Sequence, residues 1–150
     1  MKNGTWRDII LQKSDLPLKA QKFIDLLGIT VDTVEILYLE ADPNGKYFKE
    51  YSNNPRVSYD WENRIIYLVN NMKVSTIIHE LMHVYIRDNN IDTQVIAYAY
   101  MEETSYTWSA ISRYGLNSFC SEQYEETVCE IVARYGRRGQ FDKIAQLFGK

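Results

Sequence analysis

The chain has 150 residues, 45% of them hydrophobic and 25% charged, with a formal net charge of −3. That is the make-up of an ordinary globular protein, and residues 1–150 are expected to form a single domain around one core. The mild acidity speaks against nucleic acid as a partner, and no apolar stretch approaches the ~18 residues that span a membrane.

Arg134, Arg137, Arg138 and Lys143 are the nearest thing to a basic patch and are expected to be a solvated helix end. Two cysteines, Cys120 and Cys129, lack C-x-x-C spacing, and residues 1–8 carry no apolar run of the signal-peptide kind. Both favour a cytoplasmic setting. Twelve tyrosines are many for this length, and they are expected chiefly to pack core and sheet.

A short helix is expected over residues 5–12. Ser14 or Asp15 can cap the next, with Pro17 in its first turn, apolar positions at Leu18, Phe23, Ile24, Leu26 and Leu27, and Gly28 as its end. Residues 33–39 are β-branched and apolar and read as a strand, followed by an Asp42-Pro43-Asn44-Gly45 turn and a second strand over 46–51. After Asn53-Asn54-Pro55, residues 57–60 and 64–69 read as a hairpin around Trp61-Glu62-Asn63. From Val74 the period turns helical, and Val74, Ile77, Ile78, Leu81 and Tyr85 form an apolar stripe whose far side is free to face a cleft. Beyond Asp88-Asn89-Asn90, helices are expected over residues 93–114, from 121 or 122 to 135 with Gly136 as the stop, and over 141–148. Helix, strands and then helices make the class α+β.

The fourth strand runs into His79-Glu80-Leu81-Met82-His83, an H-E-x-x-H motif that uses both histidines of the chain. Four residues are slightly more than one helical turn, so the two rings lie one above the other on one face and can grip one metal ion. Glu80 lies beside them, placed to take a proton from water. Catalytic zinc commonly has three protein ligands and one open position. With no third histidine, the metzincin extension of the motif is excluded, and a carboxylate or a cysteine must complete the set.

Two glutamate pairs follow, Glu102-Glu103 and Glu125-Glu126. Glu126 is favoured. Glu130 lies four residues on along the same face and can accept a hydrogen bond from the far nitrogen of a ligand histidine. Cys129 and Ala133 are small enough to let this helix come close, whereas Tyr106 stands in the corresponding place near Glu103. Glu103, Glu125, Glu130 and Glu102 remain the alternatives. Cys129 is read as a buried small residue rather than a ligand.

At these residues the chain resembles a zincin metallopeptidase of the gluzincin kind, in which H-E-x-x-H is completed by a glutamate on a later helix. It is similar to the small ImmA/IrrE-type peptidases, which carry H-E-x-G-H and then E-x-x-A-x-x-F-A. The counterparts here are His79-Glu80-Leu81-Met82-His83 and Glu126-Thr127-Val128-Cys129-Glu130-Ile131-Val132-Ala133, with Met82 for glycine, Cys129 for alanine and Val132 for phenylalanine. The resemblance implies a small, mostly antiparallel sheet packed on an active-site helix, C-terminal helices, and Zn2+ as cofactor. It also implies that the sheet edge lines a substrate cleft: residues 64–69 immediately precede the helix, and a peptide can add there as an extra strand.

The expected activity is hydrolysis of a peptide or protein substrate. Zinc brings the pKa of its water to about 7, Glu80 takes the proton and passes it to the leaving amine, and a tyrosine or arginine serves as second electrophile. A non-catalytic zinc-containing module that binds or regulates a protein partner is the alternative, and a hydrolase acting on a non-peptide amide is a third. Substrate identity and oligomeric state are not readable from the sequence.

Overall fold

The computed structural model describes residues 8–39, 58–60, 62–69, 73–104 and 121–150. Among them the chain forms strand β1 (Asp8–Leu11), helix α1 (Leu18–Leu27) and strands β2 (Glu35–Leu39), β3 (Ser58–Asp60) and β4 (Ile65–Val69). Helices α2 (Val74–Asn89), α3 (Thr93–Thr104), α4 (Ser121–Arg137) and α5 (Phe141–Leu147) follow. The class is α+β and mostly helical. The expected turn at 42–45, the strand at 46–51 and residues 105–114 of the long helix lie outside the described residues. So do Trp6, Trp61, Trp108, Tyr106 and Cys120.

The strands form one mixed sheet in the order β1-β2-β4-β3. β1 is antiparallel to β2, with Leu11 opposite Ile36, and β3 is antiparallel to β4, with Ser58 opposite Tyr67. β2 and β4 run parallel, with Ile36 opposite Ile66. Ile36, Ile66 and Leu68 are buried from the two central strands, the period-2 pattern of a sheet with one face on a core.

The sheet departs from the expectations in two places. Residues 8–11 are a strand, not part of a helix, because Ile9 and Ile10 find ladder partners in Tyr38 and Leu37, and pairing outweighs a weak local preference. β4 is bracketed by β2 and β3, so among the described residues the strand that leads into α2 is an interior strand of the sheet and not an edge strand.

α1 buries Ala20, Phe23, Ile24 and Leu27, an i, i+3, i+4, i+7 face. Leu18, expected among them, is 67% exposed. Pro17 itself holds the N-cap position, and neither Ser14 nor Asp15 caps the helix. Asp15 instead accepts the Gln12 amide at 2.8 Å in the 3-10 turn before it. At its other end Gly28 is left-handed (φ 67°), and the Ile29 amide reaches back to the Ile24 carbonyl at 3.0 Å. That six-to-one bond is the Schellman stop. Asn90 (φ 51°) ends α2 in the same way through Ile91 and Ile86, and Gly139 ends α4 through Gln140 and Tyr135.

α2 carries its apolar stripe as expected, but every residue from Ile77 to Ile86 is buried, so both of its sides are covered. α1, the sheet and α4 all pack against it, α4 most extensively. Close approach to α4 is allowed by small side chains at i, i+4 and i+7: Cys129, Ala133 and Gly136. Gly136 was expected to stop α4, yet the helix runs through it to Arg137. A Cβ there would stand 2.4 Å from Ile78 Cδ1, so the glycine serves helix contact and not termination.

Arg64 fixes the carboxyl end of α2. It sits at φ 56° in the tight β3–β4 connection, and its guanidinium grips Asp88 through two parallel hydrogen bonds of 2.7 and 3.0 Å. It also donates to the Thr33 carbonyl at 3.0 Å ahead of β2. The guanidinium holds the Asp88 carboxyl below its usual range and answers a carboxylate placed at the unfavourable end of a helix dipole.

Of the tyrosines whose side chains are described, Tyr85, Tyr100, Tyr124 and Tyr135 pack as expected, while Tyr98 is 43% exposed. Tyr85 meets Phe148 edge-on at 5.4 Å, and Tyr100 meets Tyr135 at 6.1 Å. Among the described residues no helix is long and apolar enough to cross a membrane.

Candidate metal centre

His79 and His83 project from successive turns of α2 towards α4, with ring centroids 5.2 Å apart. They are buried, as is Glu80. Their partners come from the first three turns of α4. Glu126 spans both rings: one carboxylate oxygen lies 2.9 Å from His79 Nε2 and the other 2.9 Å from His83 Nε2. The opposite nitrogens are also engaged. Glu130 Oε2 lies 3.5 Å from His79 Nδ1, and Glu125 is hydrogen-bonded to His83 Nδ1. Each of these outer carboxylates meets an arginine in turn. Arg87, one turn beyond His83, donates to Glu125 at 3.3 Å, and Arg134 Nε lies 3.4 Å from Glu130.

The arrangement follows from helix spacing. His79, His83 and Arg87 are four apart on α2, and Glu126, Glu130 and Arg134 are four apart on α4, so each helix presents one row. α4 runs antiparallel to α2, which sets Glu130 against His79 and Glu125 against His83 and Arg87.

Electrostatics reflect this crowd of carboxylates. Burial pulls the His79 imidazole down, but hydrogen bonds to Glu126 and Glu130 and the charges of Glu80 and Glu126 prevail and hold it at about 9. His83 is likewise raised: burial opposes, while Cys129, Glu125 and Glu126 outweigh it. For Glu126, burial pushes upward and the two histidines bring the carboxyl well below its ordinary range. Burial raises Glu80, against the pull of His83 and His79. Positive charge is what this cluster requires, and protons or a metal ion can provide it.

Of the residues singled out in the sequence, His79, Glu80, His83, Glu125, Glu126 and Glu130 come together here. Glu102 and Glu103 fall in the last turn of α3, and their side chains are outside the described part of the structure. Cys129 is buried, as expected, and lies beside the two rings. Donor atoms of His79, His83 and Cys129 all lie within 4.8 Å of one another. Arg134 is likewise part of the site rather than of a solvated helix end, and Arg87, which carries no expectation from the sequence, joins it through Glu125. The i, i+4 spacing from His83 to Arg87 and from Glu130 to Arg134 is the signal that finds both.

The donor set fits a divalent metal. Two neutral-capable imidazoles, a carboxylate and a thiol are ligands that zinc accepts, and both rings are oriented from behind. Compared with known protein families, curated proteins and solved structures, the chain matches none.

Proposed function

We propose that the chain is a zinc-dependent peptidase of the zincin kind, in which His79, His83 and Glu126 hold the ion and Glu80 is the general base. One observation carries the reading: both Nε2 atoms converge on the same carboxylate while carboxylates occupy both Nδ1 positions. That leaves the Nε2 atoms and Glu126 as the natural inward-facing donors. Bound zinc would supply Lewis acidity, acidifying a water and polarising the scissile carbonyl.

The chain's own part is to place and move a proton. Glu80 Oε2 lies 3.9 Å from His79 Nε2, outside hydrogen-bond reach of the ring. Its carboxyl is raised by burial, which suits a group that must take a proton from water and release it to a leaving amine. Glu126 is the most exposed of the three donors (side chain 36%, against 9% and 11% for the histidines), so substrate enters from its side. The substrate is a peptide or protein in a cytoplasmic setting, which a buried thiol outside any disulfide supports.

The test pairs metal analysis with digestion of a diverse peptide library. Wild-type protein is expected to carry one zinc and to cleave, to lose activity to a chelator and to regain it with zinc. Glu80→Gln is expected to keep the zinc and lose cleavage. Full activity in Glu80→Gln would overturn the mechanism. Deep burial of His79, Glu80 and His83 favours a second reading, a zinc-containing module that binds a protein partner without catalysis. Stoichiometric zinc with no cleavage of any peptide would select it.

A further inference from the structure

We propose that Cys129 is also a donor to this centre, so that a bound metal would meet its sulfur beside the two histidine nitrogens. The inference rests on the metal-centre reading above; with Glu126 as well the ion would have four protein donors, so the water of the hydrolytic reading would take a fifth position.

Three observations support it. First, the sulfur is within 4.8 Å of the donor atoms of both histidines, and those three groups are a sufficient set for a divalent ion. Second, Cys129 and Glu126 are three apart on α4 and so lie on the same side of the helix. Glu126 reaches both rings at 2.9 Å, so that side is the one turned to α2. Third, the two donors approach from opposite environments. Cys129 is fully buried, whereas the Glu126 side chain is 36% exposed. The sulfur therefore lies at the closed back of the centre and the carboxylate at its open front, where water enters.

The alternative is that Cys129 only fills space. A small apolar residue would do that equally well, and the space-filling role by itself gives no reason for a sulfur within 4.8 Å of the donor atoms of two histidines. Ligation is charge-balanced: the thiol binds as thiolate, its proton leaves to solvent, and nothing is oxidised or reduced.

Sulfur ligation has a spectroscopic signature that needs no turnover. The metal-free protein is titrated with Co2+ alone. The expected result is the visible bands of a tetrahedral or five-coordinate ion together with an intense thiolate-to-cobalt charge-transfer band in the near ultraviolet. Cys129→Ser should lose the ultraviolet band and bind cobalt at least about tenfold more weakly, since even groups that only support a ligand cost that much. Cys120→Ser should retain the band.

Visible bands without the ultraviolet band in wild type would overturn the role of Cys129 and leave the His79, His83 and Glu126 centre standing. A band that survives Cys129→Ser and vanishes in Cys120→Ser would do the same. Failure of wild type to bind Co2+ at all would overturn the metal centre itself. The wild-type spectrum keeps the proposal falsifiable if a variant fails to fold.

Discussion

Each histidine of the centre lies between two carboxylates, one at each ring nitrogen: Glu126 and Glu130 for His79, Glu126 and Glu125 for His83. The carboxylates on the Nδ1 side fix ring orientation and, once Nε2 is given to a metal, make the imidazole a better donor. Glu125 is a positioning residue in this scheme, and Arg87 acts through it. Glu125→Gln is expected to weaken zinc binding by about 10–100-fold, measured by competition with a chromogenic chelator, with helical content unchanged. Arg87→Ala should shift affinity in the same direction by less. Unaltered affinity in Glu125→Gln would remove it from the support of His83. The histidine spacing and Glu80 were legible because they depend only on one helix. Glu126 and Glu130 were legible because their common face follows from four-residue spacing. Cys129 was read as a small residue, which its full burial bears out, but its distance to the rings depends on how two helices cross.

At the scale of elements, the α2–α4 contact decides whether the donors meet. At Gly136 an added Cβ would stand 2.4 Å from Ile78 Cδ1. Ile78 is fully buried and has little room to turn away. Gly136→Ala is therefore expected to destabilise by about 1–3 kcal/mol, the cost of overpacking, even though alanine favours a helix. Ile78→Val removes the clashing Cδ1. Alone it should cost about 0.5–1.5 kcal/mol, and combined with Gly136→Ala the total should fall short of the sum. Strict additivity in urea denaturation would show that the two do not meet. The sequence misplaced this glycine because a glycine near the end of a helical pattern reads as a stop, whereas the constraint here comes from a helix more than 40 residues earlier in the chain. β1 was misread for the same reason: its partner β2 lies far along the chain. The hairpin and the extent of α1 and α2 are local and were read correctly to within a few residues.

For the molecule as a whole, four glutamates converge on two histidines in a chain that is already acidic, and without metal the positive charge there must come from protons. The sign of the consequence is fixed. His79 is raised from 6.5 to about 9 on folding, so its protonation stabilises the fold fully below pH 6.5, and that stabilisation is lost as pH rises towards 9. Metal-free protein is expected to unfold at progressively lower urea over this interval, with zinc flattening the dependence; a midpoint constant from pH 6.5 to 9 would refute a charged His79. The donors are shared between two stretches of chain, with His79 and Glu126 separated by 47 positions. A break anywhere between them would leave half a binding site on each piece. An ion bound across the gap is thus a removable rivet: it closes the intervening loop as a disulfide would, with chelation in the place of reduction.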